Sequence, residues 1–216
     1  MEKLIIIGAG NVGGYLSYNL AEMGTYEILG FLDDDVRKHH TIQYGHKVLG
    51  GTNLLEQFAK NEKLNIVVGI SSPEAKFRMV ERISIYDHIR FPNLIAKNVW
   101  LSRNTELGYG VILYPGVSIN YESKIENFVI MNMNCAIGHN CTIEQYSTLA
   151  PGVNLAGFTH LEQRVELGIG VSTKQGIRIG HSSVIGGQAM VIRNVDPHSV
   201  VVGVPGMTLR KNEPMN

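Results

Sequence analysis

The chain carries no charge excess: 19 Lys and Arg balance 19 Asp and Glu. Without a basic surface there is no electrostatic footprint for a polyanion, so nucleic acid is not expected as a partner. Cysteine is scarce. The two present, Cys135 and Cys141, lie one repeat apart on inward-facing positions and read as buried, reduced side chains. Neither a disulfide nor a zinc site is expected, and cytoplasmic localisation follows from the reduced thiols. Long apolar runs are missing too. None approaches the ~20 residues of a membrane span, and Met1-Glu2-Lys3 followed by Leu4 to Ile7 lacks the parts of a signal peptide. No membrane partner is expected. What remains is a chain of 216 residues, 44% hydrophobic, enough for one or two domains with a real core.

The strongest pattern is an apolar ladder with a period of six. Its rungs are Leu107, Leu113, Ile119, Ile125, Met131, Ile137, Ile143, Leu149, Leu155, Leu161, Leu167, Thr173, Ile179, Ile185 and Val191, with Thr173 alone polar. Two residues before many rungs stands a second small or branched side chain, among them Val117, Val129, Cys135, Cys141, Val153, Val165, Val171 and Ile177. A period of six fits neither a helix nor an alternating strand. It fits a parallel β-helix, in which short strands meet at tight corners and stacking makes one continuous core. With three strands to a turn, residues roughly 18 apart stand above one another.

The first 90 or so residues read differently. Leu4–Ile7 is a buried strand leading into Gly8-Ala-Gly10-Asn11-Val-Gly13, and a helical pattern follows through about Met23. Ile28–Leu32 reads as a second strand and ends in Asp33-Asp34-Asp35. This is a G-x-G-x-x-G loop between strand and helix with an acidic residue about 20 positions on: glycines admit a pyrophosphate, and a carboxylate can bind a sugar hydroxyl or base edge. Thr52–Asn61 reads as a second helix, Asn65–Ile70 as a third strand and Pro73–Tyr86 as a third helix. That is one βαβαβ half of a doubly wound fold. A dehydrogenase needs both halves and a catalytic domain, whereas a single half suits a single nucleotide carrying a sugar. The plain alternative is that the glycines only permit a tight turn. The boundary is expected near Phe91–Val99, giving a domain over 1–92 and a β-helix with its tail over 93–216.

One corner of the coil is chemically distinctive. His139 follows the Ile137 rung by two and faces out; one coil on, the same position is Gly157, and after another it is Gln175. An imidazole thus stands beside a column stripped of bulk, where a long ligand can lie along the coil and reach a base. A neutral imidazole is a natural general base for an attacking amine or hydroxyl. The bland alternative is a solvated turn residue, the reading given to His39, His40, His46, His88, His160, His181 and His198. No two histidines show a ligand spacing, so no metal is expected.

With these motifs, together with Phe31-Leu-Asp-Asp34, Ile137-Gly-His139 and the closing Val201-Val-Gly203-Val-Pro205-Gly206, the chain resembles the bacterial sugar O/N-acyltransferases. That family includes sialic acid O-acetyltransferases and N-acetyltransferases of nucleotide-linked 4-amino sugars. The resemblance covers nearly the whole chain. It implies an α/β half-Rossmann domain, a left-handed β-helix, a homotrimer with active sites between subunits, and acetyl-CoA as cosubstrate. It also implies His139 as catalytic base with Asn140 after it, and Asn132 against the amino sugar. Gly8, Gly10, Asn11, Asp33, Asp34, Gly69, Ser71 and Ser72 match the nucleotide-sugar segment, and Gly157, Ile169 and Gly187 the acetyl-CoA groove.

Two positions depart from the family. Asn140 stands where an Asp or Glu usually orients the ring; an amide accepts a hydrogen bond but contributes no charge. Thr148 aligns with a second histidine near the thioester oxygen, which leaves a backbone N–H or a hydroxyl to stabilise the oxyanion. The leading expectation is an acetyl-CoA-dependent N-acetyltransferase acting on a UDP- or GDP-linked 4-amino sugar in surface glycan biosynthesis. A sugar O-acetyltransferase is the first alternative, slightly disfavoured because a hydroxyl needs the stronger base. A non-catalytic trimeric scaffold is the second; it has no need of the glycine column or the Gly-rich loop.

Overall fold

The computed structural model describes residues 2–59 and 63–212. They form two compact units, Met1–Ser71 with Ala75–Leu94 and Ser72–Glu74 with Ile95–Asn216.

The first unit is a six-stranded sheet with three α-helices. In chain order its elements are β1 (Glu2–Ile7), α1 (Asn11–Asn19), β2 (Tyr26–Leu32), β3 (Ile42–Gln43), β4 (His46–Gly50), α2 (Leu55–Ala59), β5 (Leu64–Val68), α3 (Pro73–Ile83) and β6 (Ile89–Arg90). The sheet order is β3-β4-β2-β1-β5-β6, parallel throughout except for the β3–β4 pair. Leu4–Ile7 and Ile66–Val68 are buried, as unbroken apolar runs of an interior parallel sheet must be.

The expected helix through Met23 is shorter than its pattern. α1 stops at Asn19, whose side chain donates back to the Tyr15 carbonyl, and Leu20–Glu22 continues as a 3-10 turn before Gly24. The helix expected over Thr52–Asn61 opens with a 3-10 turn at Thr52–Leu54 and runs on as α2; its end, residues 60–62, lies outside the described residues. The third helix ends at Ile83 rather than Tyr86. The β3–β4 hairpin is an element that the alternation of apolar residues does not reveal.

In the second unit, two-residue strands from Trp100–Leu101 to Met190–Val191 wind through three parallel sheets. Partners are 18 residues apart, as in Ile119↔Ile137, Ile125↔Ile143 and Met131↔Leu149. Every rung from Leu113 to Val191 is buried, and so is every second-column residue named above. Leu107, the first rung, is half-buried, and the period runs two rungs further back to Leu101 and Ile95. Corners turn through residues of positive φ, among them Glu122, Asn140 and Phe158 at one corner. Backbone N–H groups left over at another corner are capped from the coil below: Glu126 accepts from Gln145 N, Glu144 from Gln163 N, and Glu162 from His181 N. At the C-terminal end an antiparallel hairpin, Ser199–Val202 with Met207–Lys211, lies beside Val184–Ile185.

Thr173, the polar rung, has a place in this ladder. In neighbouring coils a rung carbonyl accepts the N–H from the coil below, Leu155 from Gly138 and Val191 from Lys174. At Thr173 the hydroxyl takes that role, accepting from Ala156 N at 3.1 Å and bonding to the Thr159 hydroxyl at 2.9 Å, and Leu155 loses its register partner.

Candidate active site

The face that matters is the sheet holding Trp100–Leu101, Ser118–Ile119, Ala136–Ile137, Asn154–Leu155, Ser172–Thr173 and Met190–Val191. Its outward column is short-chained at Ser118, Ala136, Asn154 and Ser172, and an open groove of ≈ 410 Å³ runs over it from Trp100 to Thr173. His139 stands at the corner that closes one side of this face. Asn132, Ile169 and Gly187 stand at the corner on the other side.

His139 is held on every side but one. Tyr121, one coil below, lies nearly parallel to the imidazole with centroids 5.2 Å apart, and Phe158 meets it edge-on at 5.0 Å. Nδ1 lies 2.9 Å from Oδ1 of Asn140. The Asn140 amide in turn donates from Nδ2 to Oε2 of Glu122 at 2.8 Å. The free edge of the ring looks onto Gly157: a Cβ there would come 2.7 Å from Nε2. Glycine at 157 is therefore what leaves room for the ring.

Gly138 has a second effect. A Cβ on it would lie 2.5 Å from the backbone nitrogen of Gly157. At neighbouring turns, Asn120 and Asn132 cap the following N–H with their own side chains. Gly138 therefore leaves space for the buried Gly157 backbone to pack beside the imidazole. The pair recurs at the opposite corner, where a Cβ on Gly168 would come 2.6 Å from Gly187 N. At the corner on each side of this face, glycine thus packs directly on the backbone of the next coil.

Thr148 belongs elsewhere. It lies half-buried on the neighbouring sheet, in register between Ile130 and Glu166, and within one chain the fold does not bring it to His139. Tyr121, Phe158 and Glu122 were not legible as site residues from local motifs. The 18-residue spacing alone connects Glu122 to Asn140.

In the first unit the Gly-rich loop is built as its spacing requires. Gly8 has φ +94°, and a Cβ on Gly13 would fall 2.0 Å from the Gly8 carbonyl oxygen. Gly69 packs against the same spot, where a Cβ on it would come 3.1 Å from Gly13 Cα. Gly10, by contrast, faces open space, and Asn11 beside it is exposed at the start of α1. This is the arrangement that lets a phosphate approach backbone N–H groups.

Asp33 and Asp34 stand next to this loop with protein donors already on them. Asp33 accepts from Ala9 N, Lys38 Nζ and Asp35 N. Asp34 accepts from Thr52 N, the Thr52 hydroxyl and Arg82. Burial raises both carboxyls, but these donors outweigh it and hold each below the ordinary value. Ser71 and Ser72 are exposed between β5 and α3. Among the described residues no cluster of metal-ligating side chains is present, and no helix is long and apolar enough to cross a membrane.

Comparison with known proteins agrees with this layout. Residues 3–83 match the PglD N-terminal domain. The acetyltransferase domain of PglB from Neisseria gonorrhoeae superposes with a TM-score of 0.88 at 26% identity, covering 97% of this chain and 100% of that one. A GDP-perosamine N-acetyltransferase of Escherichia coli O157:H7 is 29% identical over 51% of this chain and 49% of its own length. A serine acetyltransferase of Mycobacterium tuberculosis is 32% identical over 51% of this chain and 50% of its own. The chain spans about half the length of these curated relatives. The resemblance to sugar acyltransferases, and the fold of an α/β unit followed by a left-handed β-helix, are borne out by these likenesses.

Proposed function

We propose that this chain, a member of the sugar acyltransferase family, transfers the acetyl group of acetyl-CoA to the amino group of a nucleotide-linked 4-amino sugar, with His139 as general base. The observation that carries the reading is the placement of His139. One ring nitrogen is anchored by Asn140, and the other lies free over Gly157 beside an open groove. In the proposed step the sugar amine attacks the thioester carbonyl, Nε2 of His139 takes the amine proton, and the C–S bond breaks as that proton is passed to sulfur, so that CoA leaves as the thiol. The backbone N–H of Gly157, beside the imidazole, is assigned to the developing oxyanion. The PglB domain has been solved with acetyl-CoA, which supports the choice of donor.

Gly8, Gly10, Asn11, Asp33, Asp34, Gly69, Ser71 and Ser72 are assigned to the nucleotide-sugar segment and Asn132 to the sugar. Gly157, Ile169 and Gly187 are assigned to the acetyl-CoA groove. Thr148 takes part only if a neighbouring copy brings it to the groove, which accords with the proposed homotrimer. Cytoplasmic localisation belongs to the same proposal. The choice of an amine over a hydroxyl rests on the GDP-perosamine N-acetyltransferase likeness. The lack of a carboxylate at position 140 no longer argues for it, because Glu122 stands one bond behind Asn140.

The test is release of free CoA thiol from acetyl-CoA with a panel of UDP-, GDP- and dTDP-linked amino sugars and with sialic acid. Turnover with an amino sugar supports the proposal; turnover with sialic acid alone assigns O-acetylation. No turnover on any acceptor, with no thermal protection by acetyl-CoA, sinks the transferase reading.

A further inference from the structure

We infer that Glu122 is a positioning residue for His139, acting through Asn140 to fix which imidazole nitrogen is free to take a proton. The inference rests on the reading of His139 as the base.

The argument is one of donors and acceptors. Glu122 and Asn140 stand at the same corner, one coil apart, each with φ 55°, and the Asn140 N–H bonds to the Tyr121 carbonyl. Their side chains are thereby stacked. An ionised carboxylate only accepts, so the Asn140 group facing Glu122 at 2.8 Å must be the NH2 end of the amide. The other end, Oδ1, then faces His139 Nδ1 at 2.9 Å. A carbonyl oxygen accepts, so Nδ1 must carry the hydrogen, and the lone pair of the neutral ring sits on Nε2. That nitrogen is the one over Gly157.

Asparagine alone cannot do this. Turned over, its NH2 would face Nδ1 equally well and favour the tautomer with its hydrogen on Nε2, which is useless as a base. Glu122 removes the ambiguity. Its other surroundings suit the role. Glu126, Glu144 and Glu162 at a different corner each cap a backbone N–H and pair with a cation or a histidine. Among the described residues Glu122 makes no ion pair, and Asn140 is the partner of its carboxylate. Glu122, Asn140 and His139 thus recover, through one amide, the carboxylate support that position 140 lacks.

Three variants separate this from a structural role. Glu122→Leu removes the acceptor, Glu122→Gln keeps an acceptor without charge, and Asn140→Asp places a carboxylate directly on the ring. In protein labelled with 15N-histidine, the ring nitrogens report the tautomer without any substrate. His139 should be predominantly Nδ1–H in the wild type, should lose that preference in Glu122→Leu, and should keep at most part of it in Glu122→Gln, whose amide can turn over as that of Asn140 can. In the Asn140→Asp background, Glu122→Leu should leave the tautomer unchanged. In turnover, Glu122→Leu should lower kcat about 10-fold with both KM values held within about twofold, the scale of one hydrogen bond to a charged group. In the Asn140→Asp background it should cost nothing.

The relay is overturned if Glu122→Leu keeps the wild-type tautomer and kcat, or if it lowers kcat equally in both backgrounds. His139→Ala distinguishes the two levels. If that variant keeps turnover, the reading of His139 as base falls and the positioning role with it. If it loses turnover while Glu122→Leu keeps both tautomer and kcat, only the relay falls.

Discussion

A methyl group placed on Gly157 would come 2.7 Å from Nε2 and 2.8 Å from Cε1 of His139. Gly157 does not adopt a left-handed φ, so its backbone accepts alanine and the imidazole is the obstruction. Gly157→Ala should therefore keep its melting temperature within a few degrees while displacing the ring. A shift of about 1 Å in a reacting group can cost about 10²-fold in rate. The expected result is a kcat loss of that order with unchanged circular dichroism. Full activity would mean that the ring is not held over position 157.

Thr173 makes a separate stability prediction. Its hydroxyl takes the Ala156 N–H, and a valine of the same shape offers no acceptor. Thr173→Val should lower unfolding free energy by about 1–3 kcal/mol in urea titrations, the cost of an unsatisfied buried donor. A change below about 0.5 kcal/mol, small for a lost buried hydrogen bond, would show that the Thr173 carbonyl closes the ladder instead.

Asp33 gives the pH dependence of the first unit. Burial raises its carboxyl, but Lys38, Asp35 N–H and Ala9 N–H hold it below the ordinary value. A carboxyl depressed in the folded state stabilises above its unfolded value, near 3.9, and that contribution fades as pH falls through the lower folded value. Melting temperature should drop below about pH 4, and Asp33→Asn should be less stable at pH 7 yet flatter across that acid range. Parallel curves for the two proteins would contradict the assignment.

The cysteines should be silent. Burial pushes the Cys135 thiol up to about 11 and raises Cys141 as well, and both face backbone carbonyls. Only the thiolate attacks a disulfide reagent. Native protein should react with such a reagent at a negligible rate until denatured, which leaves the CoA thiol assay without background. Prompt labelling of either cysteine at pH 8 would contradict their burial.

The two halves were unequally legible from sequence. The ladder showed because its rungs face one shared core, so each of the buried side chains from Leu113 to Val191 repeats the same constraint. The Gly-rich loop showed because Gly13 has no room for a Cβ against Gly8. The β3–β4 hairpin was hidden, since Ile42–Gln43 is mostly exposed and pairs through backbone rather than an apolar face. Glu122 was hidden for another reason. It precedes Asn140 by one coil, and its meaning lies in the stacking of side chains at a corner, which no local motif records. Thr173 looked like a flaw in the ladder because a sequence does not show which atom accepts a backbone N–H.

The measurement closest to the central claim is CoA thiol release by wild-type protein and His139→Ala, with the acceptor sugar identified from the panel. Loss of a general base predicts that kcat falls on the order of 10²–10⁴-fold while acetyl-CoA still protects the variant from thermal unfolding. Turnover by His139→Ala within a few-fold of wild type would contradict the account.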